Sequence, residues 1–300
     1  MKLLIQLTFN NGLGNLYCGV IEILHFIEHY KNLGYKCELI FSSNGSSGRN
    51  KFIGSINFED IFDISDFKVF DNIRSVKYPI TDKNFEGYTY HSTQYGPDSP
   101  GVHWWDVFFD ENPETVPPKY PYNMETLLSR SLTPKYLPKF NKKVYKKVKN
   151  FLRKNKNINK TIQVRYDDYR LNPDKNFVDF TDNLLEKLTN SDNVYHLMSN
   201  NQYIIDKVKH LPNIKTYDFK NLDILPNDHS YYFFHTHISH EILLERLYDN
   251  LAEMVILSHY DELYSYSSFN WTSTFLYYSM SKKPNQKLIN INTDLNTITL

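Results

Sequence analysis

Three short segments hold the residues whose types and spacing could do chemistry, and each follows an apolar run. The first spans residues 10–15 (NNGLGN), where Gly12 and Gly14 stand one residue apart between Asn11 and Asn15. Glycines at that spacing let a backbone approach a ligand, and a helix beginning there offers unpaired N–H groups to an anion. A tight turn without a ligand fits the same residues. The third glycine of the dinucleotide fingerprint G-x-G-x-x-G is missing, because Tyr17 occupies its place.

The second segment spans residues 163–169 (QVRYDDY). An arginine leaving a central parallel strand stands at the ligand edge of its sheet, and the forked donors of Arg165 match two phosphate oxygens at once. Asp168 can hold that guanidinium or cap the next turn, and a purely structural Arg–Asp pair fits equally. The third segment spans residues 264–271 (YSYSSFNW) and reads as strand, turn and helix start. Ser267 and Ser268 suit a helix cap. The same geometry aims hydroxyls and N–H groups at a phosphate.

The elements that must position these loops follow from the hydrophobic pattern. Residues 2–9 read as a buried strand, 16–32 as an amphipathic helix and 35–41 as a second strand, which together make a right-handed βαβ unit. Residues 84–138 are rich in proline and aromatics and give no order. Residues 141–156 (NKKVYKKVKNFLRKNK) form a basic amphipathic helix whose charges read as a solvated face. Beyond it the alternation restarts, with strands over 161–166, 193–198, 214–217, 263–266 and 287–291. Helices are expected over 180–188, 202–209, 242–258 and 271–280. The expected fold is α/β, with two Rossmann-like parallel-sheet domains, 1–155 and 156–300, facing across a cleft. Ligands of such folds sit at the carboxyl ends of the strands.

Composition narrows the function classes. The 34 basic and 34 acidic residues cancel, which argues against a general nucleic-acid binder resting on a basic surface. Cys18 and Cys37 suggest neither a disulfide framework nor a thiolate zinc site. The first nine residues are too short for a secretory leader and run into a glycine loop, so a cytoplasmic protein is expected. Two further clusters carry suggestive residue types. His235, His237, His240 and Glu241 lie close together, yet zinc needs three or four converging ligands and no second cluster accompanies them. In His103-Trp104-Trp105-Asp106, adjacent aromatics can stack on a sugar face and Asp106 can accept a hydroxyl proton. Core packing of at least one tryptophan is the competing use.

Taken together, the loops resemble the motifs of the fucosyltransferase superfamily, particularly the α-1,2-fucosyltransferases and more distantly the α-1,6- and protein O-fucosyltransferases. A Gly-Gly-Leu-Gly-Asn-Gln-like start reads here Asn11-Gly12-Leu13-Gly14-Asn15-Leu16. A His-x-Arg-Arg-x-Asp-Tyr strand end reads Gln163-Val164-Arg165-Tyr166-Asp167-Asp168-Tyr169. Ser-Asp-Asp becomes Ser199-Asn200-Asn201, and an Asn-Ser-Ser-Phe-Ser-Trp-Trp loop becomes Tyr266-Ser267-Ser268-Phe269-Asn270-Trp271-Thr272. The resemblance covers most of the chain and is weakest over 85–156.

It implies a GT-B-like fold and an inverting, metal-independent glycosyltransferase with no cofactor, moving a deoxysugar from GDP-fucose to a glycan hydroxyl. In that reading Arg165 neutralises the departing diphosphate. Asn11, Gly12, Gly14, Asn15, Gln163, Asp168, Ser199, Ser267, Ser268 and Phe269 line the donor, and Glu253 reads guanine. Asp106 is the candidate acceptor base. Gln163 stands for the family's histidine, Tyr166 for its second arginine, and Asn200-Asn201 for its two acids. Those departures keep two alternatives open: another nucleotide-sugar donor, or a catalytically inactive glycan- or nucleotide-binding protein.

Overall fold

The computed structural model describes residues 1–9, 13–43, 56–77, 80, 87–91, 105–110, 136–164, 166, 173–199, 201–217, 239–266 and 287–291. The chain divides into two compact units, Met1–Lys142 with Phe233–Leu244, and Lys143–Tyr232 with Glu245–Leu300.

In the first unit β1 (Lys2–Thr8), α1 (Leu13–Asn32) and β2 (Lys36–Ser42) form the expected parallel βαβ unit. The helix begins three residues earlier than expected, so Gly14 and Asn15 lie in its first turn. Its end is fixed by Gly34, whose φ of 85° only glycine adopts without strain. The Tyr35 N–H donates to the Tyr30 carbonyl and the Gly34 N–H to that of Lys31, which satisfies the last carbonyls of the helix. Next come α2 (Phe58–Ile61), a 3₁₀ turn (Ile64–Phe67) and β3 (Asn72–Val76), which extends the sheet beside β2.

The aromatic-rich segment that gave no order supplies β4 (Thr89–His91) and β5 (Trp105–Phe109), both in antiparallel pairs, and the sheet order is β3-β2-β1-β5-β4. The first sheet is therefore parallel over three strands and mixed overall. On the α1 face, Phe26 packs edge-on against Trp105 and Tyr30 against Phe109. On the other face Leu4, Ile40 and Phe108 form a small cluster with Val76, Ile80 and Tyr88.

The second unit contains α3 (Lys142–Lys154) from Lys143 onward, β6 (Lys160–Val164), α4 (Lys175–Thr189), β7 (Tyr195–Ser199), α5 (Gln202–Val208), β8 (Ile214–Thr216), α6 (His240–Leu257) from Glu245 onward, β9 (Glu262–Tyr266) and β10 (Lys287–Asn290). Its sheet is all parallel in the order β10-β9-β6-β7-β8, with β6 central. Helix α4 starts earlier than its apolar pattern suggested, because Asp174 caps it by accepting from the Phe177 N–H at 2.9 Å. The helix expected over 271–280 lies outside the described residues.

The two faces of this sheet differ in chemistry. Side chains alternate between faces along each strand. Ile162, Val164, Tyr195, Leu197 and Tyr264 fall on one face and join the apolar core with Phe177, Leu184 and Ile204. Thr161, Gln163, His196 and Ser265 fall on the other, all of them buried. Buried polar groups need partners, and on this face they meet α3 and α6.

Candidate functional site

The strands that precede the second and third chemistry-bearing segments end side by side at one edge of the second sheet. Val164, the last residue of β6, pairs with Ser199 at the end of β7 on one side and with Tyr266 at the end of β9 on the other. Arg165, Asn200 and Ser267 are the residues that follow these three in the sequence. Arg165, Asp168, Ser267, Ser268 and Phe269 themselves lie outside the described residues, as do Asn11 and Gly12. In the first unit, β5 runs antiparallel to β1 and opposes Asp106 to Gln6. Asp106 is half-buried, two positions from the carboxyl end of β1, where the glycine loop begins.

Gln163 is buried on the polar face, and its Oε1 accepts from the Ser265 hydroxyl at 3.3 Å. This cross-strand bond ties β6 to β9 two residues before Arg165 and Ser267. Tyr166, standing where the family motif has an arginine, belongs to the core. Its ring stacks on Phe177 at 3.9 Å, and its hydroxyl accepts from the Asp174 N–H at 3.0 Å. Ser199 Oγ accepts from the Asn201 N–H, and Asn201 caps α5 by accepting from the Tyr203 N–H. Trp105 is buried and donates its indole N–H to Glu22 at 3.4 Å, which is the core-packing use of one tryptophan. Of the histidine cluster His240 and Glu241 are among the described residues, as the first two residues of α6. Among the described residues no group of three His, Cys, Asp or Glu could hold a metal.

Behind the sheet edge lies a buried ionisable network that the sequence did not reveal. Lys147 of α3 donates to Glu245 at 2.8 Å and to Asp249 at 2.7 Å, both on α6. The Tyr217 hydroxyl donates to the same Asp249 oxygen at 2.9 Å. One helical turn further along α6, Glu253 stands 3.8 Å from His196 of β7. Among the described residues neither ring nitrogen of His196 has a hydrogen-bond partner. The signal for this network was Glu253, one turn beyond Asp249, inside the otherwise apolar run LAEMVIL that ends the helix, because a helix end apolar on all sides is a buried one.

Burial sets the protonation of this pair. It lowers His196 from 6.5 to about 3 and, helped by the charge of Asp249, raises Glu253 well above its usual 4.5. Glu253 is therefore not a solvent-facing helix residue. A guanine reader needs an ionised carboxylate open to the ligand, whereas this one is enclosed and held toward its protonated form.

The folded pair keeps one proton where the unfolded chain swaps one group for the other. Between pH 4.5 and 6.5 the unfolded chain binds a proton on histidine and none on glutamate. The slopes of the two groups then cancel, because the proton counts of folded and unfolded states match. Glu253→Gln removes one side of that balance. The variant should lose stability on acidification through this window relative to the parent, by up to about 1.4 kcal/mol per pH unit. His196→Phe should shift the slope in the opposite direction. Urea titrations at several pH values read both, and parallel profiles for parent and variants would refute the shared proton.

No protein-family model matches the sequence, and no protein of curated function matches it. Solved structures of similar chain path do exist. NodZ α-1,6-fucosyltransferase co-crystallised with GDP has 10% identity, with 93% of this chain and 92% of that one covered and a TM-score of 0.48. Fucosyltransferase NodZ from Bradyrhizobium has 12% identity, 93% coverage of both chains and a TM-score of 0.46. POFUT1 in complex with GDP-fucose has 10% identity, 95% and 96% coverage and a TM-score of 0.47. At this level of likeness the roles of the residues follow from this chain's own chemistry.

Proposed function

We propose that the chain is an inverting glycosyltransferase that takes a deoxysugar, L-fucose by motif resemblance, from a nucleoside diphosphate onto a glycan hydroxyl. The observation that carries this reading is the row Ser199, Val164 and Tyr266, which starts three motif loops from one edge of a parallel sheet. That edge is where α/β folds bind ligands. Arg165 then neutralises charge on the departing diphosphate, with N–H groups of the loop at Ser267 sharing the load. Asp106 is the candidate base for the acceptor hydroxyl. The reading expects the protein in the cytoplasm, where nucleotide sugars are at hand.

A second reading, a nucleotide- or glycan-binding protein without activity, is favoured by Tyr166. Its side chain is used up in the core, so the second motif cation is absent. Transfer or hydrolysis of GDP-fucose by the purified protein separates the two readings.

Binding is tested by thermal shift with GDP, UDP and dTDP in the presence of EDTA. GDP at a hundredfold excess over its Kd should stabilise by about 2.7 kcal/mol, a rise of several degrees, and UDP by less. If no nucleoside diphosphate raises the melting temperature, the donor assignment falls. Equal shifts by all three overturn only the guanine preference. Glu253→Gln should keep the GDP preference and raise the melting temperature of the free protein, as expected of a buried carboxyl whose burial disfavours ionisation. Loss of the preference would return Glu253 to the base-reading role.

A further inference from the structure

We infer that the exposed face of α3 is a docking surface for an anionic lipid membrane. The chain as a whole is neutral, with 34 basic and 34 acidic residues, yet residues 139–160 contain no aspartate or glutamate. Helix α3 turns Val144, Val148 and Phe151 into the protein. Its outward positions hold Lys142, Lys143, Lys146, Lys149, Arg153 and Lys154, with Asn150 among them. Lys142, Lys146, Lys149 and Arg153 follow one another at helical spacings of four, three and four. They form a stripe about 16 Å long at 1.5 Å per residue.

The arrangement opposes the helix's own stability in two ways. Like charges three and four residues apart repel. No acid stands in the first turn, where the helix dipole favours one, and Lys142 and Lys143 stand there instead. Among the described residues the neighbouring elements relieve the repulsion only at the start of the helix, where the Lys143 ammonium lies over the Tyr248 ring at 5.3 Å. Lys147, on the flank of the stripe, is committed to Glu245 and Asp249, and Asp63 feels the charges of Lys139 and Lys142. Lys146, Lys149, Arg153, Lys154 and Lys156 have no carboxylate partner among the described residues. A surface of fixed negative sign supplies what the described residues do not.

The side chains choose among anionic surfaces. Among the described residues the exposed positions of α3 hold no aromatic side chain on which a nucleobase could stack, Tyr145 being half-buried, and lysines outnumber arginines, whose forked donors serve specific phosphate recognition. Flexible ammonium groups on a convex helix suit a fluid layer of lipid headgroups, which rearranges to meet them. The apolar side of the helix is already buried, so the attachment is electrostatic and peripheral.

The test is co-sedimentation of the full chain with vesicles of phosphatidylcholine, with and without one-third phosphatidylglycerol. At low salt the protein should pellet with the anionic vesicles alone and be released at about 0.5 M salt, where the Debye length shrinks to a few ångströms. Each cation removed should lower the partition coefficient by about fivefold. The quadruple variant Lys146→Gln, Lys149→Gln, Arg153→Gln, Lys154→Gln should therefore lose on the order of a hundredfold or more. Its melting temperature, equal to or above the parent's, shows that folding is not the cause. Equal binding to both vesicle types, or undiminished binding by the quadruple variant, overturns the inference. So does tighter retention by single-stranded RNA than by anionic vesicles at equal phosphate, which would assign the stripe to nucleic acid.

Discussion

Arg165→Ala is expected to abolish sugar transfer with the fold intact, a loss of at least about a hundredfold in kcat. The residue follows Val164 on the central strand β6, at the edge from which the neighbouring strands also release their motif loops. A guanidinium there can grip two oxygens of the leaving diphosphate as negative charge grows on them, an interaction stronger in the transition state than in the bound donor. Arg165→Lys should recover little, because an ammonium is a point charge without the planar fork. Steady-state transfer at saturating GDP-fucose, beside a urea titration of each variant, reads the effect. Near-normal turnover in Arg165→Ala would remove the central assignment of the proposed mechanism.

The largest effect on stability should come from Lys147→Met. Asp249 has 2% of its side chain exposed and receives Lys147 at 2.7 Å and Tyr217 at 2.9 Å on one oxygen. Without the lysine that buried carboxylate keeps a single neutral donor. The desolvation it has suffered is then uncompensated, which costs about 3–5 kcal/mol. The double variant Lys147→Met with Asp249→Leu should recover most of the loss, since replacing both partners leaves no orphaned charge. Burial lowers the Lys147 pKa, but the hydrogen bonds and charges of Asp249 and Glu245 outweigh it and the net shift is upward. The stabilisation from this raised group is complete below the unfolded lysine pKa and is lost as the pH climbs through the folded value. A loss below about 1 kcal/mol in the single variant at neutral pH would show that the network contributes nothing net.

The strands that carry the motif loops were legible because they are buried runs bounded by polar turns: residues 2–9 before the glycines, 161–166 before Asp167, 263–266 before the serines. A parallel strand covered on both faces writes that signal strongly. Strands β4 and β5 were not legible, because WDVFF sits among prolines and other aromatics without a break that marks its ends, and its pairing is with β1 about a hundred residues earlier. Arg165 and the serine loop are read from residue types and order alone, since both lie outside the described residues. The network behind the sheet edge was not legible. Lys147 lies in a helix of lysines that pattern alone sends to solvent, and only tertiary packing distinguishes it from Lys146 and Lys149. The burial of Glu253 was not legible for the same reason, since a carboxylate on a helix is usually exposed and this one stands against His196 from a strand more than fifty residues away.

The strand order of the second sheet also bears on how the chain is made. Central β6 gains β7 within a few tens of residues, but its other neighbour, β9, pairs Thr161 with Leu263 and emerges about a hundred residues later. During synthesis at about 5–20 residues per second, one edge of β6 waits several seconds for its partner. An open edge on an apolar strand is a template for pairing with another chain. Nascent chains halted before residue 262 should therefore be the aggregation-prone and chaperone-bound species, although more than four-fifths of the sequence has by then been made.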